Sequence, residues 1–250
     1  MKIDVFFTPA PLAQADLAGR TVVVLDVLRA TTSITVALFH GAKAVLPAVS
    51  TEEALRLAQN LERDDLVLAG ERRSQRIPGF PLGNSPSEFT PETVRGKTVV
   101  MSTSNGTPAL VAAQGAREVL VGAAVNFALL AERARVTLEQ SGDLVVLCAG
   151  QDRQFALEDA FAAGRLVKVL LPVGGKKEVE LNDGALASLE IARHFGERWI
   201  RAFRASAHGR ALEQEGFSDD LKTCSTENTH PILPIYADRR VTGHRPAAEG

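Results

Sequence analysis

Cysteine is nearly missing from this 250-residue chain: Cys148 and Cys224 are the only two. Two are too few for a disulfide framework and too sparse for a zinc site, so both are expected reduced, as in a cytoplasmic protein. An excess of one charge is missing too. The formal net charge is -2. Without a basic block or a basic helix face, the chain is not expected to bind nucleic acid or a membrane surface. No apolar run approaches the length that crosses a bilayer, and the opening "MKIDVFFTPAP" lacks a long secretory-type apolar stretch. Nothing fixes the oligomeric state, and a homodimer is left open.

Several phosphate-handling devices are also missing. There is no glycine-rich P-loop, and no strand runs into Gly-x-Gly-x-x-Gly, which disfavours a nicotinamide-binding enzyme. An aspartyl-phosphate enzyme of the haloacid dehalogenase type needs a second Asp two residues after the first, and after Asp26 that position is Leu28. A cysteine phosphatase needs five residues between Cys and Arg, but "CAGQDR" places one fewer between Cys148 and Arg153. Cys148 reads instead as a small apolar residue at a strand end.

What is present is core material: 45% of the residues are hydrophobic, enough to exclude disorder as the default. Val- and Leu-rich runs recur as "IDVFF", "TVVVLDVL", "AVLPAV", "LVLAG", "KTVVMS", "EVLVGA" and "LVVLCAG". Runs this continuous suit strands covered on both faces. Helix-like segments lie between them. Ser50 and Glu53 form a capping box, and Pro108 suits a first helical position. The alternation predicts an α/β fold of three layers around a largely parallel or mixed sheet. Residues 1–243 are read as a single domain and 244–250 as a frayed tail. "GALASLEIARHFGERWIRAFRAS" has helical periodicity, and "ILPIYA" reads as a last strand. Residues 70–96, rich in Pro and Gly, break the pattern, and a connection this long is usually functional; a substrate-covering loop is expected.

"GRTVVVLDVLRATTSITVALFHGAKAVL" and "GKTVVMSTSNGTPALVAAQGAREVL" also echo each other, and "GDLVVLCAGQDRQFALEDAFAAGRLV" does so more loosely. If the strands are parallel in one sheet, their polar turns share its carboxyl edge, where α/β proteins bind ligands. In the first turn Asp26 closes the strand, Arg29 follows, and Thr31, Thr32 and Ser33 stand at the helix start, a pattern suited to an oxyanion. In the second, Ser104, Asn105 and Thr107 are small polar groups, and Gly106 permits close backbone approach. In the third, Glu158 and Asp159 are adjacent acids, one of which could bind Mg²⁺ with Asp26. Simple capping explains some of these hydroxyls and the dipole some of these acids. His208 reads as a helix-end surface histidine that merits watching.

Together "DVLRATTS", "GER" followed by "IPGFPLGNSPSEF", "STSNGT", "CAG" with "LEDAFAAG", and "SAHGRAL" before "GFSDDLKTC" resemble the ComB family, the 2-phosphosulfolactate phosphatases. The resemblance runs from Asp26 to about Tyr236 and departs at "STSNGT", where a Thr-rich "TTNGT" is expected. It implies a ComB-like fold and a Mg²⁺-dependent phosphatase that converts 2-phospho-3-sulfolactate to 3-sulfolactate and phosphate, in a route toward coenzyme M. Its motifs fall on Asp26, Arg29, Thr31 and Thr32, on Glu71 and Arg72, on Gly83, Asn84 and Ser85, on Asn105, Gly106 and Thr107, and on Glu158 and Asp159. On physical grounds Asp26 and Arg29 are assigned to catalysis, and Asp26 with Glu158 or Asp159 to the metal. Thr31, Thr32, Arg72, Asn84, Ser104, Asn105, Gly106 and Thr107 are assigned to the substrate. A non-catalytic sensor of phosphorylated or sulfonated acids would use the same sockets.

Overall fold

The computed structural model describes residues 1–59, 62–171 and 178–245. Its strands are β1 (Lys2–Phe6), β2 (Thr21–Leu25), β3 (Ala44–Pro47), β4 (Leu66–Arg72), β5 (Gln75–Arg76) and β6 (Thr98–Ser102). They continue as β7 (Glu118–Gly122), β8 (Asp143–Cys148), β9 (Glu180–Leu181), β10 (Leu233–Ala237) and β11 (Arg240–His244). The helices are α1 (Gln14–Leu17), α2 (Ala30–Phe39), α3 (Thr51–Ala58), α4 (Pro91–Val94), α5 (Gly106–Ala112) and α6 (Phe127–Ser141). After these come α7 (Leu157–Leu170), α8 (Asp183–Phe195), α9 (Trp199–Ala205), α10 (Ala207–Gln214) and α11 (Ser218–Cys224).

All these strands join one mixed sheet in the order β5-β4-β6-β3-β11-β10-β7-β2-β8-β1-β9. It is three layers deep, as the alternating pattern predicts. Val22, Val24, Val45, Val99, Val119 and Val241 point to one face, where Ile34 and Val36 of α2 and Ala109 and Leu110 of α5 cover them. The alternate residues Val23, Leu25 and Val146 face Leu130, Phe161, Leu189 and Phe203 of α6 to α9. On that same side Val100 meets Ala54 of α3. This period-two division gives each Val-rich strand two apolar faces, which explains why the runs are continuous rather than alternating.

Of the two expected arrangements, largely parallel or mixed, the sheet takes the mixed one. β4, β6 and β3 are mutually parallel, as are β7, β2, β8, β1 and β9, but the antiparallel hairpin β10–β11 separates the two groups. The hairpin reverses one group relative to the other. The internal echo explains the arrangement. β2–α2–β3 and β6–α5–β7 interlock reciprocally, since β3 pairs with β6 and β2 with β7. Each unit's first strand therefore lies beside the other's last. A sheet twists by roughly 20–25° per strand, so the successive steps from β6 to β2 rotate the strands by on the order of 100°. Nominally opposed carboxyl ends thereby incline toward each other, and the polar turns after β2 and β6 meet.

Local signals fare unevenly. Ser50 Oγ accepts the Glu53 N–H at 3.1 Å, but Glu53 Oε2 accepts from Val49 N rather than from Ser50, so the capping box is half formed. Pro108 is the third residue of α5, not the first. The long carboxyl-terminal helical pattern breaks into α8 and α9 at Gly196, where φ is 68°. Residues 70–96 are not irregular throughout: they hold β5 and α4 and bury Ile77, Phe80, Leu82 and Phe89. In the tail, His244 pairs with Leu233 as the end of β11, and residues 246–250 lie outside the described ones.

Candidate active site

A cavity of about 150 Å³ opens where the turns after β2 and β6 face the β4–β5 hairpin and α10. Asp26, Arg29, Glu71, Arg73, Asn84 and His208 are among its lining residues.

Asp26 is its floor. The Ala30 N–H donates to Asp26 Oδ1 at 3.2 Å, and the Thr31 N–H and hydroxyl donate to the Asp26 carbonyl at 2.9 and 2.8 Å. The amino end of α2 thus grips this carboxylate, as its dipole favours. The opposing turn closes against it: a Cβ on Gly106 would stand 2.7 Å from Asp26 Oδ2 and 2.5 Å from the Ala30 Cβ. Gly106 does permit a close backbone approach, to Asp26 and its turn.

Three more ionisable groups adjoin Asp26: Asp159 and Glu158 behind it, and His208 on the cavity wall. Asp159 accepts the Val27 and Gly150 N–H groups, one on each oxygen, at 3.0 and 3.2 Å. Glu158 Oε1 lies 3.2 Å from His208 Nδ1. Burial pushes the Asp26 carboxyl up to about 7, opposed by His208 and the Ala30 N–H and reinforced by the charges of Glu71 and Glu158. Burial, with the charges of Asp26 and Glu158, raises Asp159 well above the carboxylate range despite its two backbone donors. Burial disfavours charge on His208, but the hydrogen bond and charge of Glu158, joined by Asp26, outweigh it and raise its pKa. A cluster of mutually repelling carboxylates around one cation-forming ring is the usual electrostatic mark of a functional site.

The upper wall is Glu71, which the motif contained but the expected site omitted. Its Oε1 accepts the Ser104 N–H at 2.7 Å and its Oε2 the Ser74 N–H at 2.9 Å, tying the hairpin to the turn after β6. Arg29, at the amino end of α2, donates to Asp220 at 2.7 Å and to the Ser74 carbonyl at 2.9 Å, with its guanidinium 4.3 Å from the Phe217 ring centroid. Asn84 is 5% exposed, and its Oδ1 is buried with no hydrogen-bond partner among the described residues.

The 2-phosphosulpholactate phosphatase family model matches residues 6–239. The chain belongs to that family. It is 38% identical over 234 residues to a protein of Caldanaerobacter subterraneus subsp. tengcongensis, covering 94% of this chain and 95% of that one. It is 39% identical over 227 residues to one of Symbiobacterium thermophilum, covering 90% and 95%. A third, from Carboxydothermus hydrogenoformans, is 39% identical over 234 residues, covering 94% and 92%. Each carries the name "Probable 2-phosphosulfolactate phosphatase".

Within this 2-phosphosulfolactate phosphatase fold, the expected site residues divide into four groups. Asp26, Arg29, Asn84, Ser104 and Asn105 all line the cavity. Gly106 forms the contact with Asp26 described above. Thr31, Thr32, Thr107 and Arg72 are held elsewhere. Thr31 and Thr32 are fully buried, with hydroxyls on the Asp26 and Val27 carbonyls, and the Thr107 hydroxyl donates to the Ala48 carbonyl at 2.8 Å. These threonines shape the turns; their hydroxyls do not face the cavity. Arg72 donates to the carbonyl and hydroxyl of Ser102 at 3.1 and 2.8 Å, so the neighbouring Arg73 is the one at the rim. Glu158 and Asp159 sit behind Asp26, Glu158 with Oε1 on His208 and Asp159 with both oxygens on backbone N–H groups. His208, expected on the surface, lines the cavity in α10. Ser206, which caps α10 through the Gly209 N–H at 2.9 Å, does set His208 at a helix end, but that end packs against Glu158 and leaves the ring only partly exposed.

Proposed function

We propose that the protein is a Mg²⁺-dependent phosphatase that hydrolyses 2-phospho-3-sulfolactate to 3-sulfolactate and phosphate. The observation that carries this is Asp26, a buried carboxylate gripped by a helix start and facing His208 across a small oxygen-lined cavity, in a chain of this family. We read residues 1–243 as one catalytic domain and the protein as cytoplasmic, in keeping with two free buried cysteines. No helix among the described residues is long and apolar enough to cross a membrane.

The donors suit a hard cation. Carboxylates of Asp26 and Glu71, and the Asn84 Oδ1 that has no partner among the described residues, are all oxygen ligands. No group of three or more His, Cys, Asp or Glu among the described residues is arranged as a metal cage, and Mg²⁺ ordinarily takes only one or two carboxylates and completes its shell with water and phosphate. Asp26 would hold it; the second carboxylate would come from Glu71, whose oxygens also take the Ser104 and Ser74 N–H groups, from Glu158, whose Oε1 is on His208, or from Asp159, whose oxygens take the Val27 and Gly150 N–H groups. When bound, the ion supplies neutralisation of the phosphoryl charge and orientation of water.

The chain's own residues supply the proton chemistry. With Nδ1 held by Glu158, His208 keeps Nε2 for the cavity, where it holds the proton for the leaving oxygen. A water oxygen bonds to phosphorus as the ester P–O bond breaks, the alkoxide takes the His208 proton, and the water's proton passes to Asp26. The test is phosphate release by pure protein from phosphosulfolactate in Mg²⁺, with and without EDTA, beside a panel of other phosphorylated hydroxy acids. Release that EDTA abolishes supports the reading. Tight binding without release points to a sensor, and preference for another phospho-acid moves the substrate.

A further inference from the structure

We propose that Arg73, at the tip of the β4–β5 hairpin, binds the sulfonate of the substrate and sets the preference for sulfonated acids. The assignment rests on the phosphosulfolactate reading above and names the residue that recognises its non-reacting end.

Charge makes the case. Asp26, Glu71, Asp152 and Glu215 bring four carboxylates to the cavity, against the guanidiniums of Arg29 and Arg73 and the ring of His208, which Glu158 already holds. A polyanionic substrate gains little from a wall with that balance unless a free cation meets it. Arg29 is already neutralised by Asp220, with Oδ2 at 2.7 Å, and is covered by Phe217. Arg72, one residue away, is spent on Ser102. Arg73 alone among these is exposed at the cavity mouth with no ion-pair or hydrogen-bond partner among the described residues.

Its position is fixed from beneath. Arg73 and Ser74 take φ of 51° and 65°, a left-handed pair that turns the hairpin. The Ser74 N–H is held by Glu71 Oε2 at 2.9 Å, and its carbonyl by the Arg29 guanidinium at 2.9 Å. The same two residues that wall the cavity thus set where the Arg73 side chain begins, which lowers the ordering cost of using it.

The substrate's own connectivity selects the group that meets it. The carboxylate carbon is bonded directly to the carbon that bears the phosphate, whereas the sulfur lies one carbon further out. With the phosphoryl group over Asp26, the sulfonate is the anion that extends to the mouth. It is tetrahedral and stays ionised, and a guanidinium fork offers it two N–H groups at once.

The experiment is calorimetry on the whole protein in Mg²⁺ buffer, with 3-sulfolactate and inorganic phosphate as separate ligands. Wild type, Arg73→Ala and Arg73→Lys are compared. Arg73→Ala should weaken sulfolactate binding by ~10-fold or more and leave phosphate binding unchanged, while Arg73→Lys loses less. With phosphosulfolactate as substrate, KM should rise by a similar factor at nearly constant kcat. Equal sulfolactate affinity in wild type and Arg73→Ala, equal weakening of both ligands, or no sulfolactate binding to wild type would overturn the assignment. Phosphate release with Arg73-independent sulfolactate binding sinks the assignment alone. Arg73-dependent sulfolactate binding without phosphate release sinks the phosphatase reading alone.

Discussion

Replacing Asp26 with Asn should stabilise the metal-free protein at alkaline pH while removing its activity. Burial and neighbouring carboxylates move Asp26 from an ordinary 3.8 to about 7. At 1.36 kcal/mol per pH unit, that displacement corresponds to on the order of 4 kcal/mol against the charged form. Because the folded pKa is the higher one, the folded state gains by keeping Asp26 protonated. That stability is complete below pH 3.8, declines as pH rises, and is gone once pH passes about 7. Asn keeps an oxygen for the Ala30 N–H and carries no charge at any pH. Asp159 shares the strain, so about half the figure belongs to Asp26 alone: about 2 kcal/mol, or ~4–8 °C in Tm for a domain of this size. Melting both proteins in EDTA at pH 5 and pH 8.5 isolates the effect, since other titrating groups cancel between them. The variant should melt higher at pH 8.5, with the gap closing at pH 5. Adding Mg²⁺ at pH 8.5 should raise wild type more than the variant, because a ligand that binds only the folded site stabilises it by mass action. A variant that melts lower than wild type at pH 8.5 in EDTA would refute the electrostatic reasoning.

Other outcomes follow from the same contacts. His208→Gln should lower kcat by ~10²–10⁴-fold and remove the alkaline decline in the kcat–pH profile, a decline that sets in above the ordinary 6.5 of histidine because Glu158 holds the proton on. Arg29→Met should destabilise by about 3–5 kcal/mol in urea melts, since Asp220 is left buried without its partner. Arg72→Ala should change KM little, because that side chain binds Ser102 outside the cavity. Gly164→Ala should cost about 1–3 kcal/mol with unchanged activity per folded molecule, because its Cβ would sit 1.8 Å from the Ser188 carbonyl oxygen of α8. Single-turnover hydrolysis in ¹⁸O water should label phosphate and leave Asp26 unlabelled; label in Asp26 would establish a covalent route.

Much of this architecture is legible in the sequence because two-faced burial leaves a plain trace. A strand such as "TVVVL" must be apolar at every position when helices cover both sides of the sheet. The polar turns are equally plain, since Asp26, Ser104 and Asn105 follow directly on such runs. Less legible is what a hydroxyl near a helix start does. Thr31 and Thr32 could serve a ligand or their own backbone, and the composition of the turn is the same in either case. Arg72 and Arg73 pose a similar problem. Adjacent residues at a strand end point to different sides, and the hairpin that decides between them is made by β5, only two residues long. The β10–β11 hairpin was hidden for another reason. Its turn is built on Asp238 and Arg239 at φ of 48° and 60°, with no Asn-Gly or Gly-Gly to announce it. Missing that hairpin also hid the reversal of half the sheet.

The most direct measurement is the steady-state rate of phosphate release from 2-phospho-3-sulfolactate by wild type and by folded Asp26→Asn in saturating Mg²⁺. Wild type should release phosphate rapidly, and the variant should lose ~10³-fold or more. A variant within tenfold of wild type would contradict this, because the carboxylate that the two facing turns enclose would then have no part in the chemistry.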